Sequence, residues 1–334
     1  MPLHSLPNHY SMNLCLTSAG RRVELARTFY VDAKSLGVSL TILGLDSDAK
    51  SSAACQFVDD FETVPPVSSP QYLKSLFQIC TNRKIGLIVP TIDTELLMLA
   101  EARDELIARG VKAMVSTPAT IAIARDKFKT AEVLASHGIP SPRTVLLEQV
   151  ISGRREMSGP LVLKRIDGSR SIGLHFIDKA AEAKNLNLDV NSYVAQERCF
   201  GPEYTVNCYV DQSGKLRTVV PHRRIETRSG EVSKGVTERR TDLHQLAKQI
   251  VEALPGLRGP FCFQAILTKE GPVVFEINAR FGGGYPLAHA AGATFGKWIL
   301  EEALGMTCSA HDDWQDGLLM LRYDAAVFVK PAIQ

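Results

Sequence analysis

Residues 261–286 read Phe-Cys-Phe-Gln-Ala-Ile-Leu-Thr-Lys-Glu-Gly-Pro-Val-Val-Phe-Glu-Ile-Asn-Ala-Arg-Phe-Gly-Gly-Gly-Tyr-Pro. Two runs rich in aromatic and β-branched residues flank a turn containing Gly271 and Pro272, the pattern of a β-hairpin with a five-residue loop. Pairing Leu267 with Val273 sets Gln264 opposite Glu276, and directly paired residues share one face of a sheet. Asn278, two residues on, joins that face, and Arg280 continues the alternation. Phe261, Phe263, Ala265, Leu267, Val273, Phe275 and Ile277 fall on the opposite, apolar face. The polar face carries a carboxylate and two amide carbonyls, a set suited to a hard cation such as Mg²⁺ that keeps waters and takes other ligands from phosphates. Gly282, Gly283 and Gly284 let backbone approach a ligand closely. As isolated polar residues, the same face reads as an ordinary exposed hairpin.

The string over residues 276–284, Glu-Ile-Asn-Ala-Arg-Phe-Gly-Gly-Gly, closely resembles the metal-binding signature of the ATP-grasp enzymes, most of all the carbamoyl-phosphate-synthetase-like branch. The resemblance implies that Glu276 and Asn278 bind Mg²⁺, or Mn²⁺ in its place, bridging the phosphates of ATP. It also makes Gln264 the partner ligand from the preceding strand and sets Arg280 on the transferred phosphate. Many members carry an acidic residue where this chain has Gln264; the synthetase has Gln.

Composition is that of an ordinary soluble globular protein. The 334 residues suffice for two or three domains, and 45% hydrophobic with 22% charged residues is ordinary globular usage. A net charge of +2 points to neither nucleic acid nor a membrane surface as partner. Seven scattered cysteines without a Cys-x-x-Cys pair read as reduced, mostly buried thiols of a cytoplasmic protein. No run of eighteen apolar residues is present. The first eleven residues lack a basic start and an apolar core, and so read as an extension rather than a secretory signal.

From residue 13 the pattern alternates. Strands are expected over 13–17, 38–45, 85–89 and 111–115, with helices over 21–36, 72–80 and 95–108, the signature of a parallel sheet covered by helices. Ligands of such sheets sit beyond the carboxyl ends of the strands, which offer Ser18, Gly20, Arg21, Asp46, Asp93 and Glu95 as turn caps or as substrate contacts. The first turn lacks the full dinucleotide fingerprint. Thr117-Pro118 starts a helix, a second spans 126–137, and Pro140 and Pro142 follow it.

Strands are expected next over 161–165 and 174–177, enclosing Asp167-Gly168-Ser169-Arg170-Ser171-Ile172-Gly173, a loop of small residues able to cup an anion. Strands over 192–197 and 203–210 flank Arg198-Cys199-Phe200-Gly201-Pro202. The segment 222–240 is dense in charge, and such runs are usually solvated. A helix over 243–254 precedes the hairpin; a helix over 289–304 and a strand over 318–329 follow it.

In these segments too the chain is similar to the ATP-grasp family, in the family's order. The resemblance implies that Lys127 and Lys164 face the phosphates and that the loop with Gly168, Ser169, Ser171 and Gly173 closes over them. It sets the backbone of Glu197 to Cys199 at the adenine edge and Glu203 on the ribose hydroxyls. It assigns Arg224, Arg228 and Lys234 as the cations for acyl phosphate and carboxylate substrate.

The expected fold is α/β: an N-terminal parallel domain over 1–115, a small lid lobe over 116–198 and a catalytic lobe with mixed or antiparallel sheet over 199–334. The implied activity is an ATP-dependent carboxylate–amine ligase, releasing ADP and phosphate through an acyl phosphate. Its partners are a small-molecule carboxylate and an amine, with oligomeric state open and a homodimer one option. Two alternatives stand beside it: phosphorylation of bicarbonate, as in the synthetase, and a non-catalytic ATP-binding scaffold.

Overall fold

Residues 10–168 and 173–330 are described by the computed structural model. Ser169 and Ser171 of the expected anion loop, and most of the N-terminal extension, lie outside them.

The alternation of apolar strands with amphipathic helices yields a five-stranded parallel sheet. Its strands are β1 (Ser11–Thr17), β2 (Ser39–Asp46), β3 (Asp60–Thr63), β4 (Leu87–Pro90) and β5 (Lys112–Ala113), in spatial order β3-β2-β1-β4-β5. Leu14, Cys15, Leu16, Ile42, Leu87, Ile88 and Val89 are buried at its centre, as strands covered on both faces require. The helix Val23–Leu36 ends on Gly37, whose φ of 67° is the left-handed cap a glycine supplies at little cost. The helix expected over 95–108 forms as two pieces, Leu96–Glu101 and Arg103–Ala108.

This unit comprises Met1–Val115 together with Thr294–Ala310 and Asp324–Gln334. The chain therefore returns to the first unit after the hairpin, where a single lobe over 199–334 was expected. The reason is local to Asp32, a buried carboxylate that accepts the Lys297 N–H at 2.9 Å and caps the helix Phe295–Ala303. A Cβ on Gly296 would stand 2.5 Å from Asp32 Oδ2, so glycine is what admits the carboxylate. The single helix expected over 289–304 is two, Tyr285–Ala290 and Phe295–Ala303, separated at Gly292 with φ 109°.

At the strand ends of this unit, the carboxylates serve turns. Glu95, fully buried, accepts from Thr91 N at 3.0 Å, Tyr72 Oη at 3.0 Å and Ser18 Oγ at 3.0 Å. Asp46 accepts from Gly20 N at 2.9 Å. Burial raises the Glu95 pKa, and these donors oppose the rise.

The second unit, Ser116–Ala293 with His311–Tyr323, holds two antiparallel sheets. The smaller contains β6 (Thr144–Leu146), β7 (Leu161–Arg165), β8 (His175–Ile177) and β9 (Tyr193–Glu197) in the order β6-β9-β7-β8. One face packs Val145, Leu161, Leu163, Ile177 and Ala195 into a core; the alternate residues Val162, Lys164 and Gln196 face the other way.

The larger sheet contains β10 (Glu203–Val210), β11 (Leu216–Arg228), β12 (Glu231–Thr237), β13 (Gly259–Thr268), β14 (Gly271–Asn278) and β15 (Leu319–Leu321), in the order β14-β13-β10-β11-β12-β15. The closing strand expected over 318–329 is only β15. β13 and β14 are joined through two residues, with Thr268 paired to Gly271, rather than by a five-residue loop.

The hairpin register changes within it. Gln264 pairs with Glu276 as expected, but Ala265 pairs with Val274 and Leu267 with Pro272, so Phe275 is the extra residue of a bulge. Val274 rather than Phe275 enters the core, with no exposed surface. Phe275 turns toward the polar face instead, contrary to simple alternation.

Candidate active site

The polar face of the large sheet is assembled by register. Glu276, Gln264, Thr205 and His222 are successive partners across β14, β13, β10 and β11, and Asn278, Cys262 and Asn207 form the next row. Asn278 Nδ2 donates to Glu276 Oε1 at 3.4 Å, and Arg280 donates to Asn278 Oδ1 at 3.3 Å and to Phe281 O at 2.9 Å. The hairpin therefore brings Glu276, Asn278 and Arg280 together, with Gln264 one strand away.

Lys164 completes this face from the small sheet. Its Nζ donates to Gln196 Oε1 at 2.7 Å and stands 4.5 Å from the centroid of the Phe275 ring. Burial lowers its pKa to about 8, with Lys127 adding to the fall and Glu276 and Glu203 opposing it. Lys127, first residue of the helix Lys127–Ser136, donates from Nζ to Gly168 O at 2.5 Å. That bond ties one cation to the start of the expected anion loop. Gly173, at its far end, adopts φ 71°, and a Cβ there would meet Tyr193 Oη at 2.8 Å.

Between the two sheets runs 198–202. The Glu197 and Arg198 N–H groups are spent on Arg143 O at 2.9 Å and Pro160 O at 3.0 Å. Glu197 is exposed, and half-buried Cys199 points its thiol at Glu197 O. Gly201, with φ 149°, lies where a Cβ would be 2.0 Å from Leu267 O. Glu203 opens β10; burial raises its pKa and Arg224 pulls it down.

Arg224 is the cation of the charged segment that enters the site. Its side chain, only 7% exposed, makes a short ion pair with Glu203 and donates to Gln264 Oε1 at 3.0 Å and Gly230 O at 2.8 Å. Arg228 is exposed beside the turn whose Ser229 and Gly230 have φ of 52° and 77°. Lys234 pairs with Glu226 at 2.7 Å, both about half exposed. Of these three arginine and lysine residues, Arg224 alone is buried among the site groups.

Residues that sequence reasoning left out surround the glycine turn. His222, fully buried, shares a hydrogen bond of 3.2 Å between its Nδ1 and Asn207 Nδ2, and burial with Arg224 and Arg322 nearby pushes its pKa to about 3. A Cβ on Gly284 would stand 2.7 Å from this ring, and one on Gly283 2.7 Å from the Glu231 carboxyl carbon. Arg322 pairs with Glu231 at 3.1 Å and donates to Gly283 O. Gly283 and Gly284 thus admit the carboxylate and the imidazole. Period-2 alternation could have flagged Gln196, which shares a face with Lys164; nothing local signals Arg322.

The donor set fits a small divalent cation at Glu276 and Asn278, with oxygen donors and flanking cations for phosphate. Among the described residues no cluster of three or more His, Cys, Asp or Glu forms a self-sufficient metal cage.

Comparison with known proteins matches residues 14–114 to a PylC-like N-terminal domain and residues 124–284 to an ATP-grasp domain. A D-alanine--D-alanine ligase of Pseudomonas fluorescens is 32% identical over 98 residues, which cover 27% of this chain and 30% of that protein. A phosphoribosylamine--glycine ligase of Caldanaerobacter subterraneus is 23% identical over 246 residues, 64% of this chain and 58% of that one. The chain thus spans less than two thirds of the length of either. Among solved structures, the biotin carboxylase domain of Hydrogenobacter thermophilus 2-oxoglutarate carboxylase shares the fold. Its TM-score is 0.73 at 15% identity, covering 92% of this chain and 73% of that one, and it was crystallised as a dimer with MgADP and bicarbonate. Among the described residues of this chain, no helix is long and apolar enough to cross a membrane.

Proposed function

We propose, for a chain built of a PylC-like N-terminal domain followed by an ATP-grasp domain, the activity of an ATP-dependent carboxylate–amine ligase. The observation that carries this reading is the gathering of Lys164, Glu276, Asn278 and Arg280 on one face, with Arg224 and Glu203 beside them. The reaction transfers the γ-phosphoryl group of ATP to a carboxylate; an amine then attacks the acyl phosphate and displaces phosphate. Because the transition state is loose, catalysis consists of positioning and charge neutralisation, which this set of groups can supply without a covalent nucleophile.

Glu276 and Asn278, with Gln264 beside them, would hold Mg²⁺, which neutralises charge shared between the β- and γ-phosphates when bound. Mn²⁺ would serve in its place. Lys164 and Lys127 hold phosphate oxygens, and Arg280 follows the transferred group. Glu203 reads the ribose, and the backbone of 197–199 reads the base. Gly168 and Gly173 flank the segment that the resemblance assigns to excluding water from the acyl phosphate; Ser169 and Ser171, assigned to the same role, lie outside the described residues. Arg228 and Lys234, exposed on the β11–β12 hairpin, are assigned to the carboxylate substrate and acyl phosphate.

Both curated relatives named above join an amino acid to a partner, which supports an amino acid as one of the two substrates. A cytoplasmic setting fits seven cysteines that form no disulfide, and a homodimer is the assembly to test first.

The test is ADP and phosphate release from Mg²⁺–ATP across a matrix of carboxylates and amines that includes amino acids and bicarbonate, with Glu276→Ala as control. Release that requires one carboxylate and one amine together establishes the ligase. Release with bicarbonate alone favours the second reading, for which the fold shared with a biotin carboxylase domain speaks. Bound ATP without turnover across the matrix favours the scaffold.

A further inference from the structure

We propose that the Glu231–Arg322 ion pair at the glycine turn is the recognition site for a free α-amino acid, with Arg322 holding its carboxylate and Glu231 its ammonium group. The inference gives residues to the amino-acid substrate and rests on the ligase reading above.

The pair joins two segments distant in sequence. Glu231 opens β12 and Arg322 follows β15, and Arg322 Nη1 stands 3.1 Å from Glu231 Oε2. Arg322 also donates from Nη2 to Gly283 O. These contacts engage two of the guanidinium's N–H groups and leave others for a carboxylate. The two side chains are 33% and 32% exposed, so a ligand can reach both charges. An ion pair this open adds little to stability, and a zwitterion carrying the same two charges can exchange into it at little cost to the fold. A ligand bearing only one of the charges would meet a like charge across the pair, which selects for the zwitterion.

The turn is shaped around this pair. A Cβ on Gly283 would stand 2.7 Å from the Glu231 carboxyl carbon and 2.9 Å from its Oε1, so a side chain there would displace the carboxylate. Beneath it the buried His222 ring, with its pKa pushed to about 3, stays neutral and adds no charge to the pair. Arg224 and Arg322 both act on that ring, which sets Arg322 beside the Arg224 end of the polar face. The backbone agrees: Arg224 donates at 2.8 Å to the carbonyl of Gly230, the residue before Glu231, and Gly283 follows Arg280 in the same turn. Glu231 and Arg322 thus adjoin the groups assigned to ATP and the transferred phosphate, where the second reactant of a ligase must lie.

The experiment is calorimetric titration of the standard α-amino acids, in L and D forms, into the full chain saturated with Mg²⁺ and the non-hydrolysable ATP analogue AMP-PNP. The expected result is binding of at least one of them. Its amine analogue without the carboxylate and its 2-hydroxy acid without the ammonium group should each bind at least about tenfold more weakly. Arg322→Met should weaken the amino acid at least about tenfold and leave the amine analogue within about threefold, so that the carboxylate no longer counts. Glu231→Gln should do the same for the 2-hydroxy acid. A merely structural role for the pair would not produce this matched loss of discrimination. Thermal melts without ligand show whether each variant is folded; an unfolded Arg322→Met is replaced by Arg322→Gln. Equal losses for the amino acid and both analogues assign the pair to the shape of the turn and overturn the proposal. No amino acid bound by a protein that binds AMP-PNP overturns this site and leaves the nucleotide reading standing. No Mg²⁺-dependent AMP-PNP binding overturns the nucleotide reading and this site with it.

Discussion

The ammonium of Lys164 rests 4.5 Å above the ring of Phe275, a contact between two sheets that exists because one extra residue in β14 turns the phenylalanine out of the core. The ring holds the lysine over the polar face before any ligand arrives, while burial keeps its pKa near 8.

Nucleotide affinity should therefore depend on pH. On the proposed assignment Lys164, protonated below about 8, binds phosphate in that form; phosphate would raise its pKa, so binding above about 8 would take up a proton. Kd for AMP-PNP with Mg²⁺, measured by calorimetry, is expected to be flat from pH 6.5 to 7.5 and to rise toward about tenfold per unit above pH 8.5. In Lys164→Met the affinity is lower throughout and this rise disappears. A wild-type profile that stays flat to pH 9.5 contradicts the assignment.

Glu276→Ala should remove turnover and spare the fold. The carboxylate is half-buried, and its recorded hydrogen bond is a 3.4 Å contact from Asn278, so truncation leaves no strongly bound partner behind. Loss of about 10²–10³ in kcat is expected, the usual scale for one element of electrostatic stabilisation, with urea midpoints nearly unchanged. Steady-state kinetics beside denaturation curves separate the two effects.

Arg224 and Lys234 should behave differently although both are cations of one charged run. Lys234→Ala breaks an exposed pair with Glu226 and should cost less than about 0.5 kcal/mol. Arg224→Met leaves Glu203 and Gln264 without their donor; because the Glu203 side chain is 35% exposed, the loss is set at about 1–3 kcal/mol, below that of a fully buried pair. Equal urea unfolding energies for the two variants would refute this placement.

Gly201→Ala should be the most damaging of the single-methyl changes in the 198–202 connection. Its φ of 149° is strained for any other residue, and the added carbon would stand 2.0 Å from the Leu267 carbonyl. A loss of about 2–4 kcal/mol is expected, measured by thermal and urea unfolding, with Gly271→Ala, where nothing lies within 4 Å, as the milder comparison.

Much of this was legible from local pattern. β7 and β10 occupy the residues their alternation indicated, and Thr117 and Asp126 cap the helices that follow them, accepting from Thr120 N and Phe128 N. Gln264 and Glu276 were paired correctly from the wrong end of the hairpin: the outer half is shifted by one residue, and the bulge at Phe275 restores the register. Alternation has no means of announcing an extra residue, so Phe275 was assigned to the core. In the charged segment, sequence could list cations and not rank them, because burial of Arg224 and exposure of Lys234 depend on which strand lies alongside.

What the sequence by itself determined are properties of short range: the period-2 hairpin with Glu276 and Asn278 on one face, the caps, and the alternation that makes a parallel sheet. Tertiary structure alone decided the rest. Asp32 recruits a helix more than 260 residues away, Arg322 just after β15 reaches Gly283 and Glu231, and Arg224 selects Glu203 and Gln264. The physical reason is the same in each case. Backbone period and capping are written within a few residues, whereas the partner of a buried charge is fixed by which distant groups the packed chain brings within hydrogen-bonding distance.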